Sequence, residues 1–542
     1  MKPSRLIPLV LVLLIGVTLR TVNYAALGSL WLDELFIVLN VTTRDWNQVL
    51  STPLLFHQVA PVGFLAAVKL SAELLGESEA SLRLFPYLCS VAAVFLFWRV
   101  SRRFLSPGAG LAALLVFSLS PALLWYARNV KQYSGDVAVV LLLVLLALRF
   151  REGRYDMRGT VLSAAIGGIA ILFSHPAVLV ALVLVAALIT QRWGSRGRLA
   201  VLAFGLGAGA LVVVITSLIL SPAETQEFMR DGWHDRGFMP WGPEALIWLP
   251  HRIAALEGLF IGHFQVDTLE ESVVAWIFTV LAAIGLWSLA RRDARGAFLL
   301  SAPLVAAVFA SAARILPLSR RVALYLGPVL LIMALAGTDQ IRAWLPRRGR
   351  MVRTGISAAL VAVPALTLLL FLQFPDRREE ARQVLKELKS RWREGDEMFA
   401  LPGGRLAMVF YGERVGLPES RMGTGNLRAQ LRQVDSLRGN PRVWLFYTHS
   451  VPCAQEIVRS YLGTIGREID RIEDPYGNRG KSEAAAYLYD LSDPERLGIV
   501  NSGTYRLPGF VAENCGYPQD GPWDTAKSRL RRWGSVLRQD DS

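Results

Sequence analysis

Long apolar segments recur along this chain, and they constrain its fold more than any other feature. A run of about 15–22 apolar residues is long enough to cross a bilayer as a helix. Its backbone groups must bond to one another, because lipid offers them no partners. The chain therefore reads as a polytopic α-helical membrane protein with about eleven transmembrane helices. The predicted spans are residues 6–22, 84–100, 109–126, 136–150, 159–173, 176–190, 199–220, 272–290, 297–313, 322–338 and 354–374.

The charges between these runs predict which side of the membrane each loop faces. Lys and Arg total 58 and Asp and Glu total 44, a formal charge of +14. Arginines concentrate in alternate short loops, as they do on the cytoplasmic side of membrane proteins. These loops contain Arg102 and Arg103; Arg149, Arg151, Arg154 and Arg158; Arg192, Arg196 and Arg198; Arg291, Arg292 and Arg295; and Arg342, Arg347, Arg348, Arg350 and Arg353. The N-terminus is thus expected in the cytoplasm, with the first run kept as an uncleaved helix.

Two apolar stretches need separate interpretation. Residues 159–190 form one run interrupted by the sequence SHP, and we expect a new helix to start at Pro176. Residues 60–75 are apolar but contain Lys69 and Glu73. A span there would invert every later loop, so we expect an amphipathic helix on the outer surface.

This threading divides the chain into a transmembrane domain, residues 1–374, and a polar extracytoplasmic domain, residues 375–542. The first outer loop covers residues 23–83. In the C-terminal part, a helix near 377–393 precedes strand-like runs at 396–401, PRVWLFYT and AAAYLYDL, with helical stretches near 425–437 and 453–463. Strands that alternate with helices predict an α/β domain. Cys453 and Cys515 could form one disulfide or remain free thiols.

Acidic residues follow the first predicted helix in the sequence GSLWLDELFIVLN. Asp33 and Glu34 lie in apolar surroundings at the membrane surface, where a charged group usually has a partner or a function. The alternative is structural: Asp33 would be the N-cap of a surface helix that begins at Glu34.

Basic and aromatic residues gather at outward helix ends. The sequence SPALLWYARNVKQYSGDVAVV contains Tyr126, Arg128, Lys131, Tyr133 and Asp136, and SAARILPLSRRVALY contains Arg314, Arg320 and Arg321. Arg and Lys bind phosphate oxygens, so these cations predict an anion site. The alternative is interfacial anchoring by aromatic and cationic side chains. His57 and His175 are expected on the same side. The sequence has no Cys or His spacing typical of a metal site, so we expect no metal, although a divalent cation is not excluded.

Together these stretches resemble the GT-C membrane glycosyltransferases, in particular glycosyltransferase family 39, which contains protein O-mannosyltransferases and the lipid A aminoarabinose transferase. The matching pieces are WLDE, HQVAPVGFLAAVKLSAELLGESEASLRL, SPALLWYARNVKQYSGD and RILPLSRRVALYLGPVLLIMALAG, in that order within about residues 5–375.

The resemblance implies transfer from a polyprenyl-phosphate sugar on the extracytoplasmic side. By the match, Asp33, beside Glu34, would be the general base or would position the acceptor hydroxyl, and Asp136 would be a second acidic position. Arg128, Lys131, Arg320, Arg321 and His57 would bind the donor phosphate, and Tyr126, Tyr133 and His175 would bind substrate. Some relatives carry a lysine shortly before the proline where this chain has HQVAP.

The expected function is therefore inverting sugar transfer in the cytoplasmic (inner) membrane of a bacterium. The acceptor would be a cell-envelope glycan, lipid or protein, and nucleic acid is not an expected partner. Two alternatives are an oligosaccharide ligase of the same superfamily and a non-catalytic transporter of lipid-linked sugars. Transporters place charges at the bilayer midplane and often contain inverted repeats. This sequence instead has charges near outer helix ends and no visible repeat.

Overall fold

The computed structural model describes residues 3–191, 195–261, 273–345, 349–373, 379–449, 452–474 and 484–498. Its first part is mainly helical. The helices there are α1 (Pro3–Ala25), α2 (Leu32–Thr42), α3 (Trp46–Ser51), α4 (Val62–Leu75), α5 (Glu79–Ser101), α6 (Pro107–Leu119), α7 (Pro121–Ala127), α8 (Tyr133–Arg151), α9 (Met157–Ile171), α10 (His175–Thr190), α11 (Arg196–Leu220), α12 (Ala223–Gly237), α13 (Ala245–Ile261), α14 (Val273–Ala312), α15 (Gly327–Trp344) and α16 (Gly349–Gln373).

Serine caps followed by proline start several of these helices. The side chains of Ser106, Ser120 and Ser174 each accept a hydrogen bond from a backbone N–H of the helix that follows. A proline stands within the first two residues of each of these helices, where its missing N–H costs nothing. The predicted helix start at Pro176 is confirmed, because α10 begins at His175.

Six helical segments of the described residues are long and apolar enough to cross a membrane: Leu6–Ala25, Glu79–Ser101, Tyr133–Arg151, Arg196–Leu220, Val273–Ala312 and Arg320–Trp344. The pair α6 and α7, bent by 50° at Ser120, brings the number to seven if it counts as one span. Helices α9 and α10 are apolar but shorter. The chain is therefore a membrane protein with several apolar helices, and the number of eleven spans stays a prediction.

Two of the predicted spans are helices that meet at a kink. Residues 272–290 and 297–313 correspond to the two halves of α14, which changes direction at Asp293 (φ −155°, ψ 79°). The Asp293 carboxylate accepts a hydrogen bond from the backbone N–H of Gly296 (3.0 Å) and one from Arg151 Nη2 (2.7 Å). A charged residue thus ends one helical half and starts the next without an intervening loop.

The chain forms two compact units. The first comprises Met1–Leu27, Arg44–Leu54 and Val59–Phe374. The second comprises Gly28–Thr43, Leu55–Gln58 and Pro375–Ser542, so α2 groups with the C-terminal part of the chain.

Helix α8 and the segment Arg320–Trp344 form the interior of the first unit. In each of them 89% of an apolar stretch of 18 residues is buried. The corresponding fraction is 22–44% in the other four candidate spans. Residues near the start of α8 are therefore held by packing on all sides.

A buried arginine ties α1 to its neighbours in the first unit. Arg20 is fully buried, and its guanidinium donates hydrogen bonds to Ser90 Oγ (2.9 Å) and to the carbonyls of Gly16 (2.9 Å) and Ser118 (3.3 Å). A charged residue inside an apolar helix usually marks a functional site. These contacts instead give Arg20 a structural role.

Glycines allow α14 and α15 to cross in close contact. A Cβ atom added at Gly285 would lie 1.7 Å from the Met333 carbonyl oxygen, and one added at Gly337 would lie 2.1 Å from the Leu281 carbonyl oxygen. Small residues at helix crossings are typical of membrane proteins, because close backbone approach maximises packing.

A mixed five-stranded sheet forms the centre of the second unit, in the order β2-β1-β3-β5-β4. Its strands are β1 (Glu397–Ala400), β2 (Arg421–Met422), β3 (Val443–Tyr447), β4 (Arg467–Glu473) and β5 (Ala485–Asp490), and its helices are α17 (Ala381–Arg391), α18 (Arg405–Ala407), α19 (Leu427–Asp435), α20 (Pro452–Ile465) and α21 (Pro494–Leu497). β1 pairs in parallel with β2 and β3, whereas β5 is antiparallel to β3 and β4. β3 is buried throughout and reads as a continuous apolar run, as central strands do.

Candidate functional site

The turn between α7 and α8 holds two buried cations. Arg128 and Lys131 are 6% and 5% exposed, although they belong to a unit built mainly of apolar helices. Arg128 Nη1 donates a hydrogen bond to the Ala26 carbonyl oxygen just beyond α1 (3.2 Å), and its guanidinium lies over the Trp125 ring at 5.0 Å. The C-terminal end of a helix attracts positive charge, so the end of α1 helps to place this guanidinium.

Aromatic rings surround the same turn. Tyr126 and Tyr133 meet edge to face with ring centroids 5.1 Å apart, and the guanidinium of Arg321 lies 5.8 Å from the centre of the Tyr133 ring. Ser134 Oγ donates a hydrogen bond to the Tyr126 carbonyl oxygen (2.9 Å), which holds the two sides of the turn together. The structure thus brings Tyr126, Tyr133 and Arg321 into one cluster, as the sequence predicts for residues of one site.

Arg320 precedes Arg321 at the start of a 3-10 turn, Arg320–Leu326. It is half-buried and has φ 42°, a left-handed conformation that is uncommon for residues other than glycine. Such conformations cluster at functional sites, where the surrounding structure compensates their cost. Arg314 also has a positive φ (55°), but its side chain is exposed and lies over the Trp241 ring.

Asp136 lies one helical turn after Tyr133 and is 3% exposed. Its carboxylate accepts a hydrogen bond from the side chain of Ser174, the residue that caps α10. His175 follows Ser174, but its Nε2 pairs with Ser217 Oγ of α11 at 3.0 Å. The structure thus links Asp136 to the start of α10 and His175 to α11.

The predicted acidic pair lies in the first turn of α2, in the second unit. This helix starts at Leu32 with Trp31 as its N-cap, so Asp33 is the second residue of the helix. The alternative that Asp33 caps a helix beginning at Glu34 is therefore wrong. Glu34 is fully buried and accepts the backbone N–H of Trp31 at 3.4 Å, so it satisfies the start of its own helix. Asp33 is half-buried.

His57 belongs to the same unit. The chain passes through positive φ at Phe56 (64°) and His57 (49°), and Asn40 of α2 bonds to both backbone polar groups of Leu55 at 2.9 and 3.3 Å. Contact between the Phe36 and Phe56 rings, with centroids 5.5 Å apart, adds to this attachment. His57 is therefore held close to α2, whereas Arg128, Lys131, Arg320 and Arg321 belong to the first unit.

Two acidic residues that the sequence did not indicate, Glu379 and Glu380, also belong to the second unit. Glu379 and Glu380 are fully buried, and both accept hydrogen bonds from residues 29–32. In the sequence, RREEARQVLKELK is typical of an exposed amphipathic helix. No sequence signal distinguishes these two glutamates from solvated ones.

No group of three or more His, Cys, Asp or Glu side chains suited to a metal ion occurs among the described residues. Metal independence of the protein stays a prediction. The question of a Cys453–Cys515 bridge falls outside the residues that the structure describes.

Residues 59–220 match the sequence model of the family described as dolichyl-phosphate-mannose-protein mannosyltransferase. No curated protein sequence matches the chain. Among solved structures, the chain is similar to ArnT from Cupriavidus metallidurans in the apo state, with a TM-score of 0.52 and 14% identity over 91% of this chain and 99% of that one. ArnT bound to undecaprenyl phosphate matches with the same values. The Archaeoglobus fulgidus oligosaccharyltransferase in complex with Zn and sulfate has a TM-score of 0.50 and 14% identity over 89% of this chain and 73% of that one.

At such low identity the structural similarity shows a shared fold, and the family model matches less than half of the chain. The family match over residues 59–220 and the shared fold together confirm the resemblance to GT-C membrane glycosyltransferases. The turn with Arg128, Lys131 and Tyr126 lies inside the segment that the family model matches.

Proposed function

We propose that the protein transfers a sugar, with inversion, from a polyprenyl-phosphate donor to an acceptor on the extracytoplasmic side of the membrane. One observation carries this proposal: two buried cations and two tyrosines surround a turn within the segment that matches a lipid-phosphate-sugar-dependent family. ArnT, whose fold is similar, has been observed with undecaprenyl phosphate. A buried cationic site suits a phosphate group.

In the proposed reaction, an acceptor hydroxyl attacks the anomeric carbon of the sugar as the bond from that carbon to the phosphate oxygen breaks. The polyprenyl phosphate leaves with the bonding electrons, and the hydroxyl proton passes to Asp33 as general base. The leaving group is already weakly basic, so it needs stabilisation of negative charge more than it needs a proton. Arg128 and Lys131, with Arg320 and Arg321, would supply that stabilisation.

The remaining candidates take supporting roles in this proposal. Tyr126, Tyr133 and His175 would contact substrate, His57 would reach the donor phosphate, and Glu34 and Asp136 would act beside Asp33 as acidic residues. The acceptor would be a cell-envelope glycan, lipid or protein.

The proposed location is the cytoplasmic membrane of a bacterium. The arginine-rich loops support a cytoplasmic N-terminus. Residues 1–374 would then form the transmembrane domain, with the first outer loop at 23–83, and residues 375–542 would lie outside the cytoplasm.

The direct test uses purified protein in lipid nanodiscs with a panel of polyprenyl phosphates that carry radiolabelled single sugars or oligosaccharides. We expect one single-sugar label to move from the lipid to a water-soluble or lipid acceptor. Transfer of oligosaccharide only would favour a ligase. Tight binding of the donors with no release of label would favour a transporter and contradict the proposal.

Removal of Arg128 or Lys131 should weaken donor binding. A hydrogen bond to a charged group contributes about 1.5–3 kcal/mol, so we expect Arg128→Ala and Lys131→Ala each to raise the donor KM about 10- to 100-fold. Initial rates over a range of donor concentrations measure this effect. Arg154→Ala is the matched control, because Arg154 is 66% exposed at its side chain and pairs with Glu152. An unchanged donor KM in both Arg128→Ala and Lys131→Ala would contradict the assignment.

Chelation should leave the activity unchanged. The proposed cations already provide the positive charge that a metal would bring to the leaving phosphate. Transfer rates are compared before and after dialysis against EDTA, and again after addition of Mg²⁺, Mn²⁺ or Zn²⁺. A loss of activity that one of these ions restores would contradict this expectation.

A further inference from the structure

The segment that leads into α2 has its backbone donors satisfied by side chains. The N–H of Ser29 donates to Glu380 Oε2 at 3.1 Å, and the Ser29 hydroxyl donates to the same oxygen at 3.0 Å. The N–H of Leu30 donates to the Tyr411 hydroxyl at 2.7 Å. The N–H of Trp31 donates to the Glu34 carboxylate, as described above. The side chains of Glu380, Tyr411 and Glu34 thus satisfy the backbone donors of residues 29–31.

The last donor of this segment belongs to α2 itself. The N–H of Leu32, the first residue of the helix, donates to Glu379 Oε2 at 3.0 Å. The other oxygen of Glu379 lies 2.5 Å from His449 Nδ1. A carboxylate at the N-terminus of a helix is favoured by the helix dipole. Glu379 therefore joins the start of α2 to His449, in the loop that follows β3.

This arrangement is costly, which indicates that it is more than a surface attachment. Glu379 and Glu380 are both fully buried, and burial of a carboxylate is unfavourable unless all of its bonds are made. Glu379 (φ 56°) and His449 (φ 47°) both have left-handed backbones. Such conformations are unfavourable for residues other than glycine, and they concentrate at functional sites.

Gly28 makes room for the arrangement. A Cβ atom added at this residue would lie 2.5 Å from Glu380 Oε1, closer than side chains approach one another. The glycine therefore permits the carboxylate to reach the backbone of Ser29.

We propose that Glu379, Glu380 and Tyr411 form an amide clamp that positions Asp33. These three positioning residues hold Ser29, Leu30 and Leu32, and Asp33 follows Leu32 directly in the first turn of α2. The clamp rests on the proposed function, because it assigns to the C-terminal part of the chain the task of orienting the general base. It does not touch the substrate itself.

Removal of the clamp should lower kcat and leave the donor KM unchanged. A displacement of a catalytic group by about 1 Å can reduce the rate about 100-fold, so we expect Glu379→Ala and Glu380→Ala to lower kcat about 10- to 100-fold. Tyr411→Phe removes the acceptor for the Leu30 N–H and serves if the alanine variants fail to fold. Glu379→Gln and Glu380→Gln keep an acceptor oxygen, and they should recover most of the lost kcat.

Hydrogen exchange gives a readout that does not depend on turnover. The amides of Ser29, Leu30 and Leu32 should exchange slowly in the wild type and faster in the alanine variants. Asp396→Ala is the matched control, because Asp396 is a fully buried carboxylate of the same unit that binds Arg442 and Trp444. This control should lower stability but leave both the kcat and the exchange of residues 29–32 as in the wild type.

The outcomes separate the clamp from the function. Unchanged exchange in the alanine variants, or faster exchange with unchanged kcat, would overturn the clamp. A kcat that falls equally in Asp396→Ala would also overturn it, since the effect would then be general destabilisation. If the wild type transfers no sugar, the proposed function fails; slow exchange of the three amides, accelerated in the variants, still supports the clamp, and fast wild-type exchange overturns it.

Discussion

Asp33→Asn should abolish sugar transfer while the protein still folds and binds the donor. Asparagine has the same shape as aspartate but cannot accept the proton of the acceptor hydroxyl. A general base contributes about 10²- to 10⁴-fold to the rate, and we expect a loss of that size in kcat. The fold should persist because Asp33 is inside the first turn of α2 and is not the capping residue. Initial rates with labelled donor, a thermal melt and equilibrium binding of polyprenyl phosphate measure the three properties.

The first loop provides a matched control for this substitution. Asp45 accepts the backbone N–H of Gln48 at 2.8 Å and caps α3. Asparagine is as good an N-cap as aspartate, so Asp45→Asn should behave as the wild type in all three measurements. Full activity in a folded Asp33→Asn protein would refute Asp33 as the base.

Gly285→Leu should strongly destabilise the first unit. A side chain at this residue would meet the backbone of Met333 (Cβ at 1.7 Å from its carbonyl oxygen), and backbone cannot move aside as a side chain can. α14 and α15 would have to separate along their crossing. Overpacking of this kind costs about 3 kcal/mol or more, so we expect a much lower melting temperature or no folded protein. Size-exclusion chromatography of detergent-solubilised protein after stepwise heating measures the effect.

Gly207→Leu tests whether this effect comes from the crossing. Gly207 lies within α11, is exposed, and would have open space around an added Cβ atom. Leucine is also the better helix former, so this variant should melt at or above the wild-type temperature. Equal melting of Gly285→Leu and the wild type would mean that the two helices do not meet as closely as the structure has them.

Hydrophobic periodicity locates most helices because lipid and the protein core select the same residues. Ser174 and Pro176 marked a helix start from local chemistry alone. The bend between α6 and α7 and the kink in α14 at Asp293 were not predictable, because both depend on partners distant in sequence, such as Arg151. In the second unit, apolar runs located β1, β3 and β5. The sequence of β4, REIDRIE, gave no such signal. Ile472 is the only residue of this strand that is buried.

Some residues of the candidate site could also be predicted from the sequence, and others could not. The turn with Tyr126, Arg128 and Tyr133 is local, so its members could be recognised together in the sequence. Arg321 joins it through packing against α8, which a resemblance to known proteins could suggest but periodicity could not. The role of Glu379 could not be predicted, because the sequence of a charged stretch does not distinguish a buried glutamate from a solvated one. Burial and bonding partners are properties of the folded chain.

The attachment of residues 29–32 to Glu379, Glu380 and Tyr411 has a consequence for biosynthesis. Ser29 emerges early from the ribosome, yet its acceptor follows 351 residues later. A nascent chain interrupted after α16 would already carry the helices of the first unit but would lack every one of these acceptors. The segment at residues 29–32 therefore cannot form its mature hydrogen bonds before translation has passed Tyr411.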